Sequence, residues 1–165
     1  MTPDDNLILT GFMGTGKSTL GPLLAERWER GFVDLDRWIE EQVGESIAAL
    51  FASKGEDEFR AWEMRACLAF RRPQRLVLST GGGTLLDPVR RGLLKEGGRI
   101  LCLTASFACL QQRLQGDQTR PLLRGDWQTL FEERKPVYAQ FPQLDTTNRT
   151  PDSLVQEIEK RWPTL

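Results

Sequence analysis

No histidine occurs anywhere in this chain. Its absence removes the usual general base and the imidazole ligands of most zinc sites. Proton handling must therefore fall to a carboxylate or a lysine. Cysteine is scarce: Cys67, Cys102 and Cys109 are odd in number and share no metal-binding spacing. They read as reduced thiols in or near a core, and with no imidazole to activate one, a catalytic cysteine is not expected. No apolar run approaches the ~20 residues that span a bilayer. The opening MTPDDN carries no basic stretch ahead of an apolar one, so no signal peptide is expected. An excess of one charge is also missing. A net charge of −1 offers no general attraction to nucleic acid or to an anionic membrane. The reduced thiols suit a cytoplasmic protein, and neither a nucleic-acid nor a membrane partner is expected. The 165 residues suffice for one domain with a real core.

What is present begins at Gly11. The stretch GFMGTGKST follows the apolar run Leu7-Ile8-Leu9 and fits G-x-x-x-x-G-K-[ST] at Gly11, Gly16, Lys17 and Ser18. Glycines let such a loop turn tightly, so backbone N–H groups converge on phosphate oxygens. The helix that follows presents its N-terminus to the same anion. Lys17 would reach the β- and γ-phosphates, and the Ser18 hydroxyl would hold Mg²⁺. The dinucleotide pattern G-x-G-x-x-G fails, because Thr19 stands where its third glycine belongs. A phosphorylated nucleotide such as ATP is favoured over NAD. Pro22, some six residues into this helix, predicts a slight bend or widened turn.

Short apolar runs alternate with helical patterns along the rest of the chain. Strands are expected over 7–10, 31–35, 76–79, 100–103 and near Leu144. Helices are expected after the phosphate loop and near Arg37, Ser46, Gly55, Pro88, Ser106, Trp127 and Pro151. Strands separated by helices imply an α/β domain with a mostly parallel sheet covered on both faces. Ser53-Lys54-Gly55-Glu56 reads as a capping box. Thr150 and Pro151 read as a cap and a first-turn proline. Behind them, Leu154, Val155, Ile158 and Trp162 form an apolar stripe.

Four groups of residues are candidates for chemistry. Asp34 and Asp36 flank Leu35 at the end of the second expected strand. An i, i+2 pair there points to one side, at the edge where open α/β sheets bind ligands. One carboxylate can serve Mg²⁺, the other an acceptor hydroxyl; the bland alternative is an acidic loop capping the next helix. Gly81-Gly82-Gly83 follow the third strand and let backbone approach a small ligand, although a plain turn also uses glycine. Arg120, in the polar stretch GDQTRPLLRGD, fits a lid arginine that closes on the transferring phosphoryl group. Arg60 and Arg134 are cations able to pair with a carboxylate. Taken singly, each of these three arginines would be read as a surface or salt-bridge residue.

Together the pieces resemble shikimate kinase. The matching segments are GFMGTGKSTLG (11–21), FVDLDRWIE (32–40), SIAALFASKGEDEFRAWE (46–63), the glycine triplet, RPLL (120–123) and ERKPVY (133–138). The resemblance implies a three-layer P-loop kinase fold over 1–165, with a five-stranded parallel sheet of order 2-3-1-4-5. It implies a lid over about 115–126, a substrate-binding helical region over about 36–63, and a monomer. The implied reaction is Mg²⁺-dependent transfer of the ATP γ-phosphoryl group to the 3-hydroxyl of shikimate, in chorismate and aromatic amino-acid biosynthesis. The implied roles follow the family motif. Gly14, Thr15, Gly16, Lys17, Ser18 and Thr19 wrap the phosphates, and Ser18 with Asp34 serve the metal. Asp36 binds the acceptor hydroxyls and acts as base. Arg60 and Arg134 take the carboxylate, Gly82 offers its backbone N–H, and Glu63 orients Arg60. Arg113 and Arg149 lie on the adenine side, and Arg120 is the lid arginine. Thr15 and Pro22 depart from the common pattern, where Ala and a basic residue are frequent. A gluconate kinase-like enzyme would keep the loop and lid without needing Asp36, Arg60 and the triplet together. A non-catalytic relative would be expected to lose Lys17, an aspartate or the lid arginine.

Overall fold

The computed structural model describes residues 4–115 and 127–164. Five strands make one sheet: β1 (Asn6–Thr10), β2 (Gly31–Asp34), β3 (Leu76–Ser79), β4 (Gly98–Thr104) and β5 (Gln143–Asp145). Their order is β2-β3-β1-β4-β5, with every neighbouring pair parallel. This is the order implied by the resemblance. Successive residues of a strand face opposite sides of a sheet, and the core divides accordingly. Leu7 and Leu9 of β1 point with Val77, Leu101 and Leu103 into one apolar cluster. Ile8 points with Leu78, Ile100 and Cys102 into the other.

Seven α-helices cover the two faces among the described residues. α1 (Lys17–Arg27) and α7 (Pro151–Arg161) pack Leu20, Leu24, Leu154, Val155 and Ile158 on the first cluster. The second cluster is covered by α2 (Leu35–Val43), α3 (Ile47–Ala69), α4 (Pro88–Gly97), α5 (Phe107–Leu114) and α6 (Trp127–Tyr138). A sheet buried on both faces reads as nearly continuous apolar strands, and all five residues of β1 are buried. The polar member, Asn6, is used structurally. Its side-chain amide donates to Arg72 O at 3.0 Å, and its Oδ1 accepts from Gln74 N and Leu76 N at 2.9 and 3.0 Å. The entry to β3 is thereby pinned beside β1.

Local signals decide most helix starts. Ser106, Asp87 and Thr150 cap α5, α4 and α7, each accepting an N–H three residues on. Trp162 falls just beyond α7 in a short 3-10 turn, where it packs tilted on Trp28 with ring centroids 5.1 Å apart. α1 runs through Pro22 as one element. The box expected at Ser53 does not form. α3 starts earlier, capped by Ser46, and is broken by non-helical backbone at Gly55 (φ 82°, ψ 178°). The Ser53 hydroxyl donates back to Leu50 O, while Glu56 takes the Arg60 guanidinium at 2.7 Å. A charged, forked partner outcompetes a backbone N–H for that carboxylate.

Candidate active site

Five parallel strands bring all their carboxyl ends to one edge of the sheet, and a cleft of about 1190 Å³ opens along that edge. Its walls come from residues that follow β1, β2, β3 and β5, and from α3 and α6.

At the cleft's nucleotide end, the loop after β1 closes on Gly16. This residue is the N-cap of α1, with left-handed backbone (φ 101°) and no side-chain cap. Only glycine adopts that conformation without strain. The uncapped N–H groups of α1 are left for an anion, as phosphate loops require. Ser18 and Thr19 are exposed in the cleft. Lys17 is buried, and its Nζ donates to Gly11 O at 2.8 Å and Phe12 O at 3.0 Å. Thr15 hides its hydroxyl, donating to Phe12 O at 2.7 Å, so the departure from alanine keeps the threonine hydroxyl buried. Arg113 clamps the loop from outside. It donates to Gly14 O at 3.0 Å and, through its other nitrogen, to Thr146 O at 2.8 Å. Arg149 lines the cleft beyond it, paired with Glu157 at 2.7 Å.

The two aspartates both line the cleft, but not as an i, i+2 pair on a strand. β2 ends at Asp34, and Asp36 already belongs to α2. The Asp34 side chain is the N-cap: its Oδ1 accepts from Asp36 N at 3.1 Å and Arg37 N at 3.2 Å. The capping reading weighed against function is thus right for Asp34, and it is compatible with function because Oδ2 takes no part in these two bonds. Asp36 lies against the glycine triplet. A Cβ added to Gly81 would sit 2.8 Å from Asp36 Oδ1.

The triplet gathers the other candidates. A Cβ on Gly82 would lie 2.7 Å from Arg134 Nη1, and one on Gly83 would lie 3.0 Å from Arg60 Nη1. Three side chains remote in sequence therefore converge on three consecutive residues that have none. Gly82→Ala tests this packing. Its methyl must displace the buried Arg134 guanidinium, while its other near neighbour, the Tyr138 hydroxyl at 3.6 Å, is at ordinary contact distance. The expected outcome is an unchanged melting profile with acceptor affinity about tenfold weaker by calorimetric titration.

Sequence reasoning found Glu63 as the partner of Arg60 but missed what stands behind it. Glu63 is only 2% exposed. Its Oε2 accepts from Arg60 Nη1 at 2.7 Å, its Oε1 accepts from the Thr84 hydroxyl at 2.7 Å, and Arg90 lies 3.8 Å away. Arg90 Nε also donates to Thr84 O at 3.0 Å. Two guanidinium groups and a hydroxyl thus fix this buried carboxylate in place. Burial works against the charge on Arg60, but the bonds and charges of Glu63 and Glu56 together outweigh it and raise its pKa. Tyr138, the chain's single tyrosine, was also missed; its hydroxyl donates to Gly82 O at 2.6 Å. The motif ERKPVY contains it, but nothing in the spacing indicates that contact.

Two expectations receive no positional test. Arg120 and most of the proposed lid lie outside the described residues. The cysteines agree with an inert reading: all three are buried, and burial pushes the Cys67 and Cys102 thiols up to about 12. Among the described residues, no group of three or more His, Cys, Asp or Glu side chains forms an all-protein metal cage, and no helix is long and apolar enough to cross a membrane.

Comparison with known proteins is decisive at the level of family. The shikimate kinase family model matches residues 13–162. A shikimate kinase of Persephonella marina is 41% identical over 157 residues, which cover 93% of this chain and 96% of the relative. The structure of a shikimate kinase from Acinetobacter baumannii in complex with shikimate superimposes with a TM-score of 0.90 at 32% identity, covering 97% of this chain and 93% of that one. A gluconokinase from Sinorhizobium meliloti 1021 aligns at a TM-score of 0.59 and 16% identity, over 95% of this chain and 90% of that one, a likeness of fold alone. Sequence and structure thus agree over more than nine-tenths of the length, and the chain belongs to the shikimate kinase family.

Proposed function

We propose that this protein transfers the ATP γ-phosphoryl group to the 3-hydroxyl of shikimate, giving shikimate 3-phosphate and ADP. One observation carries the substrate reading: Asp36, Arg60 and Arg134 converge on Gly81–Gly83 in the same cleft as the phosphate loop. A neutral polyol would have no use for two guanidinium groups away from the phosphoryl end. Shikimate is a cyclic triol with a carboxylate, and its anion suits them.

In this reading, the loop from Gly14 to Thr19 holds the phosphates with backbone N–H groups. Lys17 supplies positive charge to the β- and γ-phosphates. Asp36 orients the acceptor hydroxyl and takes its proton as the oxygen bonds to phosphorus. The bridging oxygen leaves with ADP. Arg113 and Arg149 border the adenine side, and Arg120 is the lid cation. Ser18 and Asp34 fit Mg²⁺ by chemistry: one hydroxyl and one carboxylate, with phosphate oxygens and water completing a hard oxygen set. Mg²⁺ there would neutralise charge building on the phosphate oxygens. The reading carries with it a monomer in the cytoplasm, acting on small molecules without nucleic acid or membrane.

Coupled measurement of ADP formation with shikimate, gluconate or no acceptor tests the assignment. Shikimate alone is expected to stimulate it. Stimulation by gluconate would favour the gluconate kinase-like alternative, and no stimulation by either would favour a binding protein. The carboxylate contacts have their own test. Arg60→Ala or Arg134→Ala is expected to raise the KM for shikimate at least about tenfold, since charged hydrogen bonds contribute about 1.5–3 kcal/mol. Nucleotide affinity without shikimate should hold. An amide in place of the substrate carboxylate should weaken wild-type binding strongly and the variants much less. Equal losses in all three proteins would refute the pairing.

A further inference from the structure

α6 touches the glycine triplet twice. Arg134 packs against the Cα of Gly82, and Tyr138, one helical turn on, donates its hydroxyl to the Gly82 carbonyl at 2.6 Å. Tyr138 is 4% exposed, and burial pushes its phenol up to about 12, with the nearby Arg134 charge only partly offsetting this. The phenol therefore keeps its proton and acts as a fixed donor over the working pH range. A trans peptide is planar, so its C=O and the following N–H point in opposite directions. Holding the Gly82 carbonyl on α6 therefore fixes the Gly82–Gly83 peptide plane, which is two backbone rotations from the Gly82 N–H that the resemblance gives to the acceptor. The triplet needs such a brace, because glycine has the largest backbone freedom to lose.

We propose that Tyr138 is a positioning residue for the acceptor: its bond to Gly82 locks the triplet to the helix that carries Arg134. The ring-side backbone and the carboxylate-side guanidinium are then presented as one rigid unit. This proposal rests on the shikimate reading. It assigns Tyr138 no contact with the reacting atoms.

The test compares wild type with Tyr138→Phe, which keeps the ring and removes one hydroxyl. The expected result is a KM for shikimate about fivefold higher, the scale of one hydrogen bond. The KM for ATP and kcat should stay within about twofold. Arg134→Lys in the Phe background should then cost less than in wild type, because the brace it shares is already gone. A KM for shikimate that does not move, or both KM values rising together, would overturn the proposal. Should the variant fail to fold, wild-type protein labelled with 3-fluorotyrosine decides. Its single ¹⁹F resonance should shift with shikimate and hold with nucleotide alone; the reverse overturns the proposal. Wild type showing no shikimate-dependent ADP formation would instead sink the substrate reading.

Discussion

Lys17→Met is expected to reduce kcat at least about a hundredfold while leaving the fold intact, on the scale of removing a preorganised charge from a transition state. Lys17 sits in the first turn of α1, and its ammonium is held inside the loop by Gly11 O and Phe12 O. These contacts are local. Packing of α1 on the sheet depends on Leu20, Leu24 and Ala25 instead. Methionine matches the apolar length of the lysine stem and gives up the charge together with the two local hydrogen bonds to Gly11 O and Phe12 O, without touching the residues that pack α1 on the sheet. Thermal melts should therefore nearly coincide while single-turnover phosphoryl transfer collapses. A variant that kept more than about a tenth of wild-type activity would contradict a role worth several kcal/mol.

The second large effect separates the two aspartates. Asp36→Asn should cost about 10²–10⁴ in turnover, the usual range for a general base. Its Mg²⁺ requirement should barely change. Asp34→Asn should do the opposite and raise the Mg²⁺ concentration needed for half-maximal rate. The structure supplies an internal control. Asp34 caps α2 through Oδ1, and asparagine caps as well as aspartate, so stability should survive the change. A loss of activity in Asp34→Asn can then be read as a metal effect rather than a lost helix start. Identical Mg²⁺ titration shifts in both variants would remove the division of labour between them.

The phosphate loop was legible because its chemistry is contiguous: a strand, a turn that needs glycine, and a helix start within fifteen residues of one another. The α/β class was legible because apolar strands alternate with amphipathic helices. The helix cap at Thr150 was local in the same sense, as were the helix starts near Pro88 and Ser106. The strand order came from the family resemblance rather than from periodicity, which carries no information on which strands pair. Ser53, expected as a cap, and Asp36, expected beside Asp34 at a strand end but found in α2, show the limit of local reading. The capping residue of α2 is Asp34, and Glu56 is drawn to Arg60 rather than to a helix start.

By itself, then, the sequence determined the loop, the class of fold and the residue types available for proton and charge chemistry, with histidine excluded. Tertiary structure alone decided the company those residues keep. Glu63 meets Thr84 and Arg90 across 21 and 27 residues of chain, and Tyr138 meets Gly82 across 56. No spacing rule encodes such pairs. They exist because a parallel sheet delivers its strand ends to one edge and two helices pack beside them. Burial then drives the Glu63 carboxylate and the Tyr138 hydroxyl to find partners, since an unpaired buried polar group would cost about 1–3 kcal/mol.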